Sequence, residues 1–243
     1  MIHIEQPPFL PWLGFCEALL ACSTLALYDD VQFTERGWQN RNRIKTANGI
    51  AWITVPVSHK NGQLIRDTRI AESFDPTATI KGIRLAYGRT TYIDEALQVL
   101  APPLSAGHRW LADLTLDLVT QIALALGSRA SLLLTSQMTL TESDDKTERL
   151  ALICEAADET TLWAGSGTRQ YLDTAALAER VTVIWNEFTD RHPRYAQPWQ
   201  KQGFAPGLSV VDAACSIGWA GVSAMLRAGL CSYRPTADTG EAR

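Results

Sequence analysis

The stretch from Asp29 to Lys45 concentrates residue types that grip anions and move protons. Two adjacent carboxylates, Asp29 and Asp30, close the apolar run Leu25-Ala26-Leu27-Tyr28. Four cations (Arg36, Arg41, Arg43, Lys45) and three side-chain amides (Gln39, Asn40, Asn42) then fall within ten residues. Guanidinium forks and amides hold phosphates, carboxylates and sugars. Gln39 to Arg43 has no apolar periodicity, so packing does not account for it. The composition predicts a polar binding loop following a buried strand. A solvated, charged loop is the alternative.

Gly165-Ser166-Gly167-Thr168-Arg169 is a second candidate. Glycines let backbone N–H groups approach an oxyanion, and a helix start adds partial positive charge. The spacing matches neither a P-loop nor a dinucleotide fingerprint, and an ordinary glycine turn with a Ser or Thr cap would read the same way. Asp145-Lys146-Thr147-Glu148 fits a capping pair. Lys146 is left over as a cation at a helix start, which hints at an anionic ligand. Ser209-Val210-Val211-Asp212 also fits a capping pair. His3, His59, His108 and His192 are scattered and form no metal-binding spacing, so no metal is expected.

The five cysteines form no Cys-x-x-Cys pair. Several sit in apolar helical patterns, so core thiols in a reduced, cytoplasmic protein are expected. The N-terminal Met1 to Pro8 lacks the basic start and apolar run of a signal peptide. No apolar run is long enough to suggest a membrane span. A net charge of −4 argues against a broadly basic nucleic-acid-binding face and leaves room for a local patch.

The elements that must position these groups alternate. Strands are predicted over 1–5, 24–29, 51–57, 131–135, 160–164 and 181–185, with 64–70 pairing back onto 51–57. Helices are predicted over 12–22, 76–87, 92–101, 108–126, 145–157 and 168–179, with a long apolar helix over 208–226. Gly127 is expected to cap the helix before it. The pattern is that of a single α/β domain over 1–233, with a mostly parallel, Rossmann-like sheet sandwiched by helices and a long C-terminal helix. Residues 234–243 read as a disordered tail. Ligands of such sheets bind beyond the carboxyl ends of the strands, where Asp29-Asp30 and Gly165–Gly167 fall.

The motifs resemble those of the WbqC-like family. The likeness runs in order through Gln6-Pro7-Pro8-Phe9-Leu10-Pro11-Trp12-Leu13-Gly14-Phe15, Asp29-Asp30-Val31-Gln32-Phe33 and Gln39 to Lys45. It continues through Trp52 to Val57, Lys146 to Leu150, Gly165 to Leu172 and Pro206 to Asp212. Two positions depart from the family pattern. Glu5 stands where a His usually precedes Gln-Pro, and Gly207 replaces an Asn. The resemblance implies transfer of a glycyl-type aminoacyl group to an amine of an amino sugar or similar small molecule. The acyl donor would be an aminoacyl-tRNA or an adenylate formed from ATP. Glu5, Asp29 and Asp30 are then the candidate catalytic carboxylates. Gln6, Trp12, Gln32, Asn40, Arg41, Asn42, Arg43, Lys45, Lys146, Gly165, Ser166, Gly167, Tyr171 and Ser209 are the candidate binding residues. An ATP-dependent amide ligase and a non-catalytic binding protein are the alternatives.

Overall fold

A computed structural model of the chain describes residues 1–233 and 237–238. Ile2–Glu5 forms strand β1 and stops before Pro7-Pro8, which have no N–H to continue a ladder. Helix α1 (Leu13–Ala21) follows, then β2 (Thr24–Leu27), which is buried throughout and parallel to β1 with Glu5 opposite Leu27. Further along lie β7 (Ser131–Leu134), parallel to β2, β8 (Thr161–Gly165), parallel to β1, and β9 (Thr182–Asn186), parallel to β8.

Between β2 and β7 the chain forms β3 (Arg41–Thr46), β4 (Gly49–Thr54), β5 (Val57–Ser58) and β6 (Arg69–Ile70). Helices α2 (Pro76–Tyr87), α3 (Ile93–Ser105) and α4 (Leu111–Ala125) come next. Beyond β7 come α5 (Lys146–Ala156), α6 (Thr174–Leu177) and α7 (Val210–Ser232). Within the expected tail, Ala237–Asp238 forms β10, antiparallel to β9. The other residues of 234–243 lie outside the described residues.

The main sheet runs β10-β9-β8-β1-β2-β7. The chain leaves the central β1 toward β2 and β7, then returns to the other side of β1 for β8 and β9. The winding therefore reverses between β1 and β8, which opens a crevice at their carboxyl ends. The expected Rossmann-like α/β architecture is present. Alternation along the strands feeds two cores. Leu25, Leu27 and Trp163 pack with α1, α3, α4 and α7, whereas Ile2, Ala26, Leu162 and Ala164 pack under α5 and α6.

The structure departs from the sequence reading in four places. The polar stretch does not stay a loop, because Arg41–Thr46 pairs antiparallel with β4. Its inward positions include Asn42, whose amide is satisfied by backbone carbonyls, so the face is buried without being apolar. The strand expected over 51–57 is two strands. Val57–Ser58 pairs with Arg69–Ile70, and a 3₁₀ turn over Ile65–Asp67 takes the rest of the 64–70 segment. The helix expected over 168–179 is instead a 3₁₀ turn over Ser166–Gln170 followed by the short α6. The long final helix is broken at Gly218, where φ is +71° and a Cβ would lie 2.9 Å from Tyr92.

By length and composition α7 is the one described helix that could cross a membrane. In this fold Val211, Ala214, Trp219, Val222 and Leu226 sit in the core instead. The caps at Gly127, Asp145 and Ser209 form, but the reciprocal halves of the two capping pairs do not, because Glu148 pairs with Arg180 and Asp212 accepts from Tyr195. Gly127 adopts φ +65°, Asp145 accepts from Glu148 N, and Ser209 accepts from Val211 N.

Candidate active site

A cleft of about 920 Å³ opens at the carboxyl ends of β1 and β8, where the winding reverses. Its size suits a small-molecule site. His3, Glu5 and Gln6 enter it from β1 and the turn that follows. Gly165, Ser166, Gly167 and Thr168 form the opposing lip after β8. Trp12, Tyr28, Trp38 and Tyr171 supply aromatic wall, and Lys146 enters from the first turn of α5.

His3 and Glu5 lie two apart on one strand, so they share a face. His3 Nδ1 donates to the carbonyl of Trp163 at 2.7 Å, and its Nε2 lies 2.8 Å from Glu5 Oε2. Both neighbours are acceptors, which favours an imidazolium between a carbonyl and a carboxylate. Burial pulls the His3 pKa down. The Glu5 hydrogen bond and charge and the Trp163 carbonyl outweigh burial, and the net shift is upward. The His3 side chain is buried, while that of Glu5 is 39% exposed toward the cleft. The pair is a carboxylate aimed at the cleft and oriented from behind by a cation.

The Gly165–Gly167 turn presents bare backbone. A Cβ at Gly165 or Gly167 would meet nothing within 4 Å, and neither glycine has a positive φ. The glycines thus leave room for a ligand rather than permit a strained turn. Lys146 Nζ stands 5.2 Å from the Tyr171 ring. Gln6 Oε1 accepts from Gln39 Nε2, and the buried Gln39 Oε1 has no partner among the described residues. Gln32 Nε2 reaches only Asn61 Oδ1, at 3.5 Å.

The structure thus gathers Glu5, Gln6, Trp12, Gln32, Lys146, Gly165, Ser166, Gly167 and Tyr171 around one cleft. The other candidates lie outside its lining and are tied to the scaffold. Asp29 is 1% exposed and accepts from Ser136 N at 2.9 Å and Ser136 Oγ at 2.6 Å. Asp30 pairs with Arg149 Nη2 at 2.5 Å. That guanidinium lies beside Tyr28, whose pKa is raised by burial and restrained by Arg149. Asn40 Nδ2 donates to the Val55 carbonyl, and Asn42 Nδ2 to those of Phe9 and Leu10. Arg43 donates to the Gly207 carbonyl, and Lys45 Nζ to Gln197 and to the Gly203 carbonyl. Ser209 is fully buried as a helix cap. Arg41 lies over the Trp52 ring at 3.9 Å.

The segment from Asn40 to Lys45 is therefore a polar brace between β3 and its neighbours, with the amides and cations meeting main-chain carbonyls that would otherwise be buried unpaired. His3, Tyr28 and Trp38 line the cleft without having been proposed for it from the sequence, and of the amides in the polar stretch Gln39 lines it too. The His3-x-Glu5 spacing on a strand was the available signal for His3. Gln39, Tyr28 and Trp38 reach the cleft through chain crossings that no local pattern encodes.

Among the described residues, no group of three or more His, Cys, Asp or Glu could hold a metal ion. No solved structure matches the chain. A Mycobacterium tuberculosis protein, Uncharacterized protein Rv1507c, is 34% identical over 221 residues, spanning 89% of this chain and 94% of that one. The model of the WbqC-like protein family matches residues 6–224. With β1, the Gly165–Gly167 lip and the β3 brace all inside or bordering that span, the chain belongs to the WbqC-like protein family.

Proposed function

We propose that this protein transfers a glycyl-type aminoacyl group to an amine of an amino sugar or sugar-like small molecule. The His3–Glu5 pair facing the cleft is the observation that carries this reading. An amine is an ammonium at neutral pH and must lose a proton before it can attack an acyl carbon. The Glu5 carboxylate attracts that cation and takes the proton, while His3 holds the carboxylate in place. The amine nitrogen then bonds to the acyl carbon as the bond from that carbon to its leaving oxygen breaks, and the nitrogen's second proton passes to the departing oxygen or to solvent. Negative charge gathers on the carbonyl oxygen during attack. Backbone N–H groups of the Gly165–Gly167 lip and the Lys146 ammonium, which line the same cleft as Glu5, are the donors this reading assigns to it. Aromatic rings and the amides of Gln6 and Gln32 suit the apolar face and hydroxyls of a sugar.

The donor is an aminoacyl-tRNA or an adenylate made from ATP. The test is incubation with an amino sugar and glycine, supplying either ATP or charged tRNA. Amide formation that requires charged tRNA supports transfer. Pyrophosphate release with ATP and free glycine supports the ligase route. No amide under either condition, with the amino sugar still binding, overturns the reading in favour of a binding protein.

A further inference from the structure

Two exposed tryptophans stand at the mouth of the cleft, Trp38 in the turn before β3 and Trp52 on β4. Trp38 and Trp52 are 50% and 48% exposed, and their ring centroids stand 5.4 Å apart with planes 41° from parallel. Trp38 lines the cleft, whereas Trp52 stands outside it. Arg41 Nε donates to the Arg36 carbonyl and the guanidinium lies over Trp52, with no carboxylate partner among the described residues. Arg43 lies 5.6 Å from the Trp38 ring. Among the described residues none of Arg36, Arg41 and Arg43 is in an ion pair with a carboxylate, although the chain as a whole is acidic. Glu35 is the only acidic residue between Asp30 and Asp67.

We propose that this lip docks the end of a single-stranded nucleic acid, with successive bases stacked on Trp52 and Trp38 and the phosphate between them on Arg41. Aromatic platforms beside cations are the means by which proteins hold single strands without reading their sequence. Two platforms in series suit consecutive bases better than one isolated nucleotide. Guanidiniums without a carboxylate partner among the described residues match phosphates and have no counterpart on a neutral sugar. Because Trp38 belongs to both the lip and the cleft, a docked end is led into the cleft. The proposal concerns binding alone and stands whether or not the acyl-transfer reading survives.

The test is fluorescence anisotropy of a short labelled single-stranded RNA with the full chain. Unlabelled AMP, an amino sugar, duplex RNA and anionic phospholipid vesicles serve as competitors. The expected result is saturable, salt-sensitive binding displaced by unlabelled single strand and not by the others. Trp52→Ala should weaken it about ten-fold or more, and Arg41→Gln should flatten its salt dependence. Both side chains lie at the surface, and an unchanged Tm will show that the fold is intact. Oligonucleotide binding unaffected by Trp52→Ala overturns the proposal. So does displacement by AMP, which would make the lip a mononucleotide site, or by vesicles, which would make it a lipid-facing surface.

Discussion

His3 Nε2 sits 2.8 Å from Glu5 Oε2, while the other ring nitrogen is committed to the Trp163 carbonyl. The imidazole therefore cannot turn away, and it presents Glu5 to the cleft in one orientation. Glu5→Gln should cut turnover at least ten-fold with Tm near that of the parent. His3→Gln should lower turnover less, since the carboxylate survives without its clamp. A fully active Glu5→Gln enzyme would remove the carboxylate from the mechanism.

The same pair predicts a pH dependence of stability. The folded-state pKa of His3 lies above its ordinary value of 6.5. Its contribution is therefore complete below about pH 6.5 and is lost as pH rises through the folded-state value. Urea unfolding between mildly acidic and alkaline pH should show this decline, and Glu5→Gln should abolish it. With the carboxylate gone, the burial that opposes His3 protonation remains. A parent profile identical to that of the variant would mean that the two groups are not coupled.

Asn42 predicts a structural loss. Its amide holds the carbonyls of Phe9 and Leu10 at 3.3 and 2.8 Å, and Leu10 itself has φ +46°, a costly conformation for a branched side chain. Asn42→Ala should destabilise the protein by about 1–3 kcal/mol. Arg43→Ala should also lower stability, through the lost bond to Gly207, whereas Arg41→Ala should barely change it. Denaturant midpoints will separate the three.

At Gly167 the expectation is reversed. A side chain there meets no neighbour, so Gly167→Val should leave the fold intact while occupying the lip of the cleft. Ligand binding or turnover should fall at least ten-fold at an unchanged Tm. Equal activity would place the bound ligand away from this turn.

Cys16, Cys22, Cys154 and Cys215 are buried, and burial raises each thiol's pKa, that of Cys22 and Cys154 to about 12. Little thiolate forms at neutral pH. Iodoacetamide should leave these four unmodified until the protein is unfolded, with activity retained. Rapid loss of activity on labelling Cys16 would point instead to a thioester intermediate.

The sheet was legible because β1, β2, β7, β8 and β9 are short apolar runs separated by helical periodicities, and each was placed to within about two residues. The cleft lip at Gly165–Gly167 followed from that order, whereas Glu5 came from the family resemblance alone. What misled was Arg41 to Lys45. Polar residues there were read as turned outward to a ligand, because a strand was expected to bury apolar side chains. Asn42 and Lys45 are instead turned inward onto carbonyls contributed by residues far off in the chain, and only the folded backbone reveals those partners. His3 was passed over for a related reason. Its role depends on Trp163, and no sequence spacing links the two.

His3 and Trp163 are 160 residues apart, yet their contact fixes the group that stands behind Glu5 at the cleft. The opening strand of the chain must therefore wait for β8 before the cleft has both sides. Closing so long a loop is slow compared with forming the helices between. A ribosome-bound chain that has emerged only through α4 holds Glu5 and two strands of the six-stranded sheet but no cleft. Truncated products would carry the proposed base without its opposing lip, and capacity to bind would appear abruptly, near the end of synthesis.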